Sequence, residues 1–235
     1  MQKDCINAVI LQSVPEAVKP DRRAARRAET EARLVEAATE LFVERGYAAT
    51  TLADVADRAG LAARTVYLRF TTKAELLRRC LGTAIVGDAA PIPLAERDWM
   101  AATMTAATLE DRIQQMAAVT ARLMDRTGAL LDVARQAAAT EPDIAAAAQA
   151  GRDDTRRTLH EFWRRAADDG LLPAEADLDW LGETATLLAQ ADTYLLLRAT
   201  TDWDIDVYER WLADTWHRLA RASNEAVHAS WHADG

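Results

Sequence analysis

Apolar residues recur along most of this chain at the three- and four-residue spacing of amphipathic helices, and this pattern constrains the fold more than any other feature. Downstream of Arg33 the spacing is met by Leu34, Ala37, Ala38, Leu41 and Phe42. Runs of valine, isoleucine and threonine, which favour strands, are almost absent. The sequence therefore predicts an all-α protein.

Glycines and capping residues divide the first part of the chain into short helices. Gly46 is expected to end the first helix, and Thr51 with Asp54 predicts a capping box that begins a second. This second helix ends at Gly60, and a third is predicted from Ala63 to Phe70. Two short helices joined by a tight glycine-containing turn form a helix-turn-helix.

Thr72 and Glu75 predict another capping box and a fourth helix, after which the segment from Gly87 to Pro93 predicts a hinge or loop. Further helical patterns are expected over 94–126, 128–139, 143–169, 178–199 and 204–229. We therefore predict three parts: a disordered tail at 1–18, a three-helix helix-turn-helix domain at 19–82 and a helical-bundle domain at 83–235.

Charge is unevenly distributed, although the whole chain carries −9. Residues 1–80 hold 14 basic and 11 acidic residues, whereas the remainder holds 14 basic and 26 acidic ones. An acidic surface repels phosphates, so only the amino-terminal part suits a nucleic acid partner.

Several classes of protein are disfavoured by what the sequence lacks. Cys5 and Cys80 form neither a disulfide framework nor a metal cluster, which favours a reducing cytoplasm. No apolar run reaches the roughly 18 residues of a membrane span. Because no nucleophile–base pair, phosphate loop or metal motif is evident at 90–235, we expect a protein that is not an enzyme and needs no cofactor or metal.

The predicted third helix has two different faces. On a helical wheel Val66 and Phe70 face inward. The outward face carries three side chains that suit base edges and a thymine methyl group: Arg64, Thr65 and Leu68. Tyr67 and Arg69 flank this face and are placed to reach phosphates. This arrangement favours a helix that reads the major groove of DNA.

Basic and capping residues around this helix suggest further phosphate contacts. Lys73 adds its charge to the positive end of the next helix, and Thr51 lies at the start of the second helix. Upstream is a basic arm made of Lys19, Arg22, Arg23, Arg26 and Arg27. Two interpretations of this arm stay open, a segment that follows DNA or enters its minor groove, and a solvated tail.

The sequence resembles the DNA-binding domain of TetR-type repressors over about residues 30–80. The resemblance rests on TLADVA at 51–56, RAGLAARTVYLRF at 58–70 and KAELL at 73–77. It implies phosphate contacts from Thr51, Tyr67 and Lys73. It also implies groove contacts from Ala63, Arg64, Thr65 and Leu68. Arg69 departs from the pattern, since many relatives have histidine or tyrosine there.

The last two helical patterns are apolar over a wider arc than one core can cover, which favours a homodimer. The TetR resemblance implies the same surface. The predicted dimer contacts are Leu188, Leu195, Trp211, Leu212 and Trp216. A dimer with two reading helices predicts double-stranded DNA with a near-palindromic operator as its partner.

The function predicted from these features is a transcriptional repressor released by an unknown small-molecule effector, which enters between residues 94 and 199. The alternative is a helical ligand-binding or scaffold protein whose amino-terminal bundle does not contact DNA. Seven tryptophans are compatible with a drug pocket, but the core or an interface is the favoured interpretation: Trp99, Trp163, Trp180, Trp203, Trp211, Trp216 and Trp231.

Overall fold

A computed structural model describes residues 22–87 and 98–223, and these residues form ten α-helices and no strand. The all-α prediction is confirmed for these ranges. The helices are α1 (Arg22–Arg45), α2 (Leu52–Arg58), α3 (Ala63–Tyr67), α4 (Lys73–Val86), α5 (Asp98–Thr105), α6 (Leu109–Ala137), α7 (Pro142–Asp168), α8 (Leu178–Ala189), α9 (Ala191–Thr200) and α10 (Ile205–Ala222).

The first helix buries the apolar positions that its spacing predicts, and it ends at Gly46, whose φ of +76° is in the left-handed region. It begins at Arg22, well before Arg33, so the arginines of the predicted basic arm lie on its first turns. The tail at 1–18 and Lys19 lie outside the described residues.

The helix-turn-helix forms with one difference in length. Thr51 and Asp54 form the predicted capping box, with Thr51 Oγ1 accepting from the Asp54 N–H at 3.1 Å. The turn at Gly60 has a φ of +65°. The helix α3 ends at Tyr67 rather than at Phe70, because the chain tightens into a turn there, although the Phe70 N–H still donates to the Val66 carbonyl.

The predicted capping box of α4 is only half formed. Thr72 accepts from the Glu75 N–H at 3.0 Å, but the Glu75 carboxylate accepts from the N–H of Thr71 rather than from that of Thr72. Leu76 and Leu77 of this helix are fully buried. The predicted hinge falls mainly on 88–97, which lie outside the described residues.

Three predicted boundaries beyond the hinge were wrong. The helix α6 runs continuously through Gly128, which was expected to end a helix. The absence of a side chain at Gly128 instead leaves room for the Tyr194 ring. The predicted 94–126 helix is interrupted before α6, where Thr108 caps the helix by accepting from the Asp111 N–H. The predicted 178–199 helix is divided at Gln190, whose ψ of 145° is extended.

Two clusters of buried side chains form the interior. The first cluster contains side chains of α1–α4, of the second half of α6 and Ile144 of α7. The second cluster contains side chains of all six helices from α5 through α10. The α6 helix therefore contributes to both clusters and connects the amino-terminal helices with the rest. The division into domains at 19–82 and 83–235 remains our prediction. The first cluster contains residues from both sides of this boundary.

The tryptophans divide between interior and surface. Trp163 and Trp216 are fully buried in the second cluster, in agreement with the core interpretation. Trp99 is partly exposed, and Trp231 lies outside the described residues. None of the described helices is long and apolar enough to cross a lipid bilayer.

Candidate nucleic-acid interface

The outward face of α3 is exposed, as its sequence predicts. Leu68 is 74% exposed and Tyr67 58% exposed, and both are large apolar side chains on the surface. Arg64 and Ala63 are also exposed, whereas Thr65 is half-buried. An exposed arginine beside an exposed leucine suits hydrogen bonds to base edges and contact with a thymine methyl group.

The inward face of α3 fixes its position. Val66 is fully buried and Phe70 nearly so, both within the first core cluster. The turn before α3 is held from α1, because the Arg33 guanidinium donates to the Ala59 carbonyl at 2.6 Å. The helix α3 is therefore anchored on one side while its other side stays open.

Two groups of arginines differ in whether they are already paired. Arg58 of α2 binds Glu40 and Glu44 of α1 at 2.9 and 2.8 Å, which leaves it poorly placed to attract a phosphate. Arg64 and half-buried Arg69 make no ion pair with the described residues. Their charges remain available to an external anion.

Thr51 is exposed, but its hydroxyl is already engaged. It donates to the Asp54 carboxylate at 2.6 Å and accepts from the Asp54 N–H. The hydrogen bonds from Thr51 lower the pKa of the Asp54 carboxyl, so a negative charge lies next to this expected phosphate contact. The structure therefore favours Thr51 less than Arg64 or Tyr67.

Lys73 is held by an aromatic residue that sequence reasoning missed. Its ammonium donates to the Tyr47 carbonyl at 2.7 Å and lies 4.2 Å from the centre of the Tyr47 ring. The Tyr47 hydroxyl donates to the Glu141 carboxylate at 2.9 Å, across 94 residues of sequence. Burial lowers the pKa of the Lys73 ammonium, and the charge of Glu141 partly offsets this effect.

The predicted basic arm is helical rather than extended. Arg22, Arg23, Arg26 and Arg27 are exposed on the first turns of α1. A helical segment is about 11 Å wide and does not enter the minor groove, which is only about 6 Å wide. The helical form therefore favours contacts with phosphates along the backbone over entry of the whole arm into the minor groove, and both interpretations remain predictions.

The predicted dimer contacts need a correction. Leu212 and Trp216 are fully buried in the second core of their own chain, so neither is available to a partner. The other three predicted contacts are half-buried: Leu188, Leu195 and Trp211. The exposed apolar side chains nearby are Leu187 of α8 and Leu196 of α9, which are 66% and 62% exposed.

Comparison with known proteins agrees with these features. Residues 34–80 match the profile of the family described as bacterial regulatory proteins, tetR family. Over 53 residues the chain is 47% identical to the HTH-type transcriptional regulator TtgR of Pseudomonas putida, a match that spans 23% of this chain. The same match covers only 25% of that relative's own length.

Solved structures resemble the chain over a much larger share. The repressor MexZ of Pseudomonas aeruginosa covers 85% of this chain and 96% of its own, with a TM-score of 0.62 and 18% identity. A TetR transcription regulator from Haloarcula marismortui covers 83% of this chain and 98% of its own, with a TM-score of 0.63 and 14% identity.

A third structure, SmeT in complex with triclosan, covers 81% of this chain and 90% of its own, with a TM-score of 0.63 and 21% identity. At these identities the solved structures establish the fold, while the profile and the curated relative show similarity over the amino-terminal part only. Residues 34–80 therefore resemble the DNA-binding domain described by the tetR-family profile, and the chain as a whole shares the fold of these solved structures.

Proposed function

We propose that this chain is a sequence-specific regulator of transcription that binds double-stranded DNA as a homodimer and lays α3 of each protomer in the major groove. The observation that carries the proposal is the outward face of α3. There Arg64 and Leu68 are exposed, and Arg64 has no ion-pair partner among the described residues, while the opposite face is buried. A face with these side chains can form hydrogen bonds and apolar contacts with base edges in the major groove.

The residues of this surface divide into two roles. Arg64 is the candidate for hydrogen bonds to a guanine, and Leu68 for contact with a thymine methyl group. Ala63 and Thr65 are smaller contacts of the same groove. Phosphate contacts are assigned to Thr51, Tyr67, Arg69 and Lys73, with backbone contacts from the helical basic arm at lower weight.

The test is selection from random double-stranded DNA with the purified full chain. We expect enrichment of a near-palindromic sequence whose half-sites lie about 10 base pairs apart, and affinity for it that falls steeply with salt. A scrambled duplex of the same composition is the control. A helical scaffold or ligand carrier would enrich no sequence, and that result would refute the proposal.

Dimerisation is proposed through the surface that includes Leu187 and Leu196. Replacing both by aspartate is expected to raise the dimer dissociation constant by about 100-fold or more, because each buried leucine contributes about 1.5–3 kcal/mol. Sedimentation velocity over a range of concentrations measures the change. Val43→Asp is the control, since Val43 is a half-exposed valine of α1. If the double variant stays as dimeric as the wild type, this surface is not the interface.

We also assign to the second core the binding of a small-molecule effector that releases DNA. The triclosan complex of SmeT, which shares the fold, supports this step. So do Trp163 and Trp216, whose buried indole N–H groups find no partner among the described residues and suit a ligand with hydrogen-bond acceptors. Binding there would shift α4 and change the spacing of the two α3 helices from about 34 Å. Compounds that bind without changing operator affinity in calorimetry would refute the release step.

A further inference from the structure

Three side chains connect the DNA-facing end of α4 with the start of α7. The Lys73 ammonium is held by the Tyr47 carbonyl and ring, and the Tyr47 hydroxyl is held by Glu141. Tyr47 and Lys73 belong to the amino-terminal domain, whereas Glu141 immediately precedes α7. The connection therefore crosses from the proposed DNA-binding domain into the rest of the fold.

Local helix stability does not account for the position of Glu141. It occupies the N-cap of α7, yet its side chain makes no capping hydrogen bond to that helix and instead accepts from Tyr47. Tyr47 is nearly buried, and its ring stacks on Phe42 with centroids 5.9 Å apart. The hydroxyl therefore has a fixed ring behind it, and its hydrogen bond ties that ring to α7.

Lys73 keeps donors for a second partner. An ammonium has three N–H donors, and the Tyr47 carbonyl uses one. The side chain is half-buried rather than sealed, so a phosphate can accept from another donor while the bond to Tyr47 persists. A cation held in place loses less side-chain entropy when it binds than a free surface lysine does.

We infer that Tyr47 and Glu141 are positioning residues for the phosphate contact of Lys73, through which the position of α7 controls DNA affinity. This inference rests on the proposed function. A change in the position of α7 would then reach the DNA-facing surface through the contacts of Glu141 with Tyr47 and of Tyr47 with Lys73. It would not need the segment between α4 and α5.

Whether removal of Glu141 weakens or tightens DNA binding distinguishes a positioning role from a purely electrostatic one. Glu141 is an acidic group near a cation that is expected to contact DNA, so removing its charge alone should tighten DNA binding. If Glu141 acts by holding Tyr47, its removal should weaken binding instead. The two mechanisms therefore predict opposite changes for the same variant.

The experiment measures the affinity of the wild type, three single variants and one double variant for the duplex selected by the wild-type chain, at several salt concentrations. Glu141→Ala and Tyr47→Phe are each expected to weaken binding about threefold to tenfold, the usual range for one lost hydrogen bond. Each should also reduce the slope of log affinity against log salt by about 0.9, the value for one phosphate contact. In a Lys73→Ala background, Glu141→Ala should have no further effect.

Asp143→Ala is the matched control, because it removes the same charge from the first turn of α7 at an exposed position. It should leave affinity unchanged or slightly higher. The inference is overturned if Glu141→Ala tightens binding or leaves it unchanged, or if it weakens binding equally in the Lys73→Ala background.

Tyr47→Phe retains the buried ring, so it provides the same test should Glu141→Ala fold poorly. A wild-type chain that binds no duplex would refute the proposed function itself, which is a different outcome.

Discussion

Replacing Arg64 with alanine is expected to weaken binding to the selected duplex by about 5-fold to 150-fold, the effect of losing about 1–3 kcal/mol from one bidentate contact with a base. The reason is that Arg64 is an exposed arginine on the open face of α3, without an ion-pair partner among the described residues. Titration of the wild type and the variant with labelled duplex measures the loss.

The same variant should change specificity as well as affinity. Selection repeated with Arg64→Ala is expected to lose the preference at one position in each half-site and to keep the others. Arg157→Ala removes the same charge from an exposed site on α7 and should retain both affinity and preference. If Arg64→Ala loses affinity equally on selected and scrambled duplexes, Arg64 contributes only charge.

Gly128→Ala is expected to destabilise the protein, although alanine favours helices. A Cβ at Gly128 would lie 2.6 Å from Tyr194 Cε1, closer than atoms can approach. Tyr194 is buried, and its ring packs on Tyr208 with centroids 5.1 Å apart, so it cannot move freely. We expect a loss of about 1–3 kcal/mol in the free energy of unfolding, the usual cost of overpacking.

The control for this prediction is another helical glycine with open space around it. Gly151 lies within α7, and a Cβ there would meet no atom within 4 Å. Gly151→Ala should raise the free energy of unfolding by about 0.5–1 kcal/mol, the ordinary gain in helix propensity. Denaturant unfolding at equal protein concentration compares the two. Stabilisation by Gly128→Ala would show that the contact with Tyr194 is not tight.

The amino-terminal domain could be predicted from its sequence because its signals are local. A capping threonine at 51, glycines at 46 and 60 and a pattern of buried and exposed positions around Val66 act within a few residues of each other. These signals predicted the helices, their order and the outward face of α3. The end of α3 was predicted three residues too late, because its last turn tightens.

The errors arose where contacts distant in sequence decide the structure. Gly128 suggests a helix end locally, but packing against Tyr194 explains it. The hydrogen bond between Tyr47 and Glu141 cannot be seen in the periodicity, since each residue is ordinary in its own segment.

Two of the predicted dimer contacts, Leu212 and Trp216, were wrong for a related reason. A wide apolar arc on a helix does not show which part faces its own core, and Trp216 proved to be buried while Leu187 and Leu196 are exposed. Only the mutual rotation of the helices determines this, and rotation depends on the whole fold.

The claim on which this account depends is that α3 lies in the major groove, and methylation interference on the selected duplex tests it most directly. Methylation of guanine N7 blocks an acceptor that only the major groove presents. We expect it to abolish binding at two clusters of positions about 10 base pairs apart, and Arg64→Ala to lose sensitivity at one guanine of each cluster. Binding that is indifferent to N7 methylation at every guanine would contradict the account.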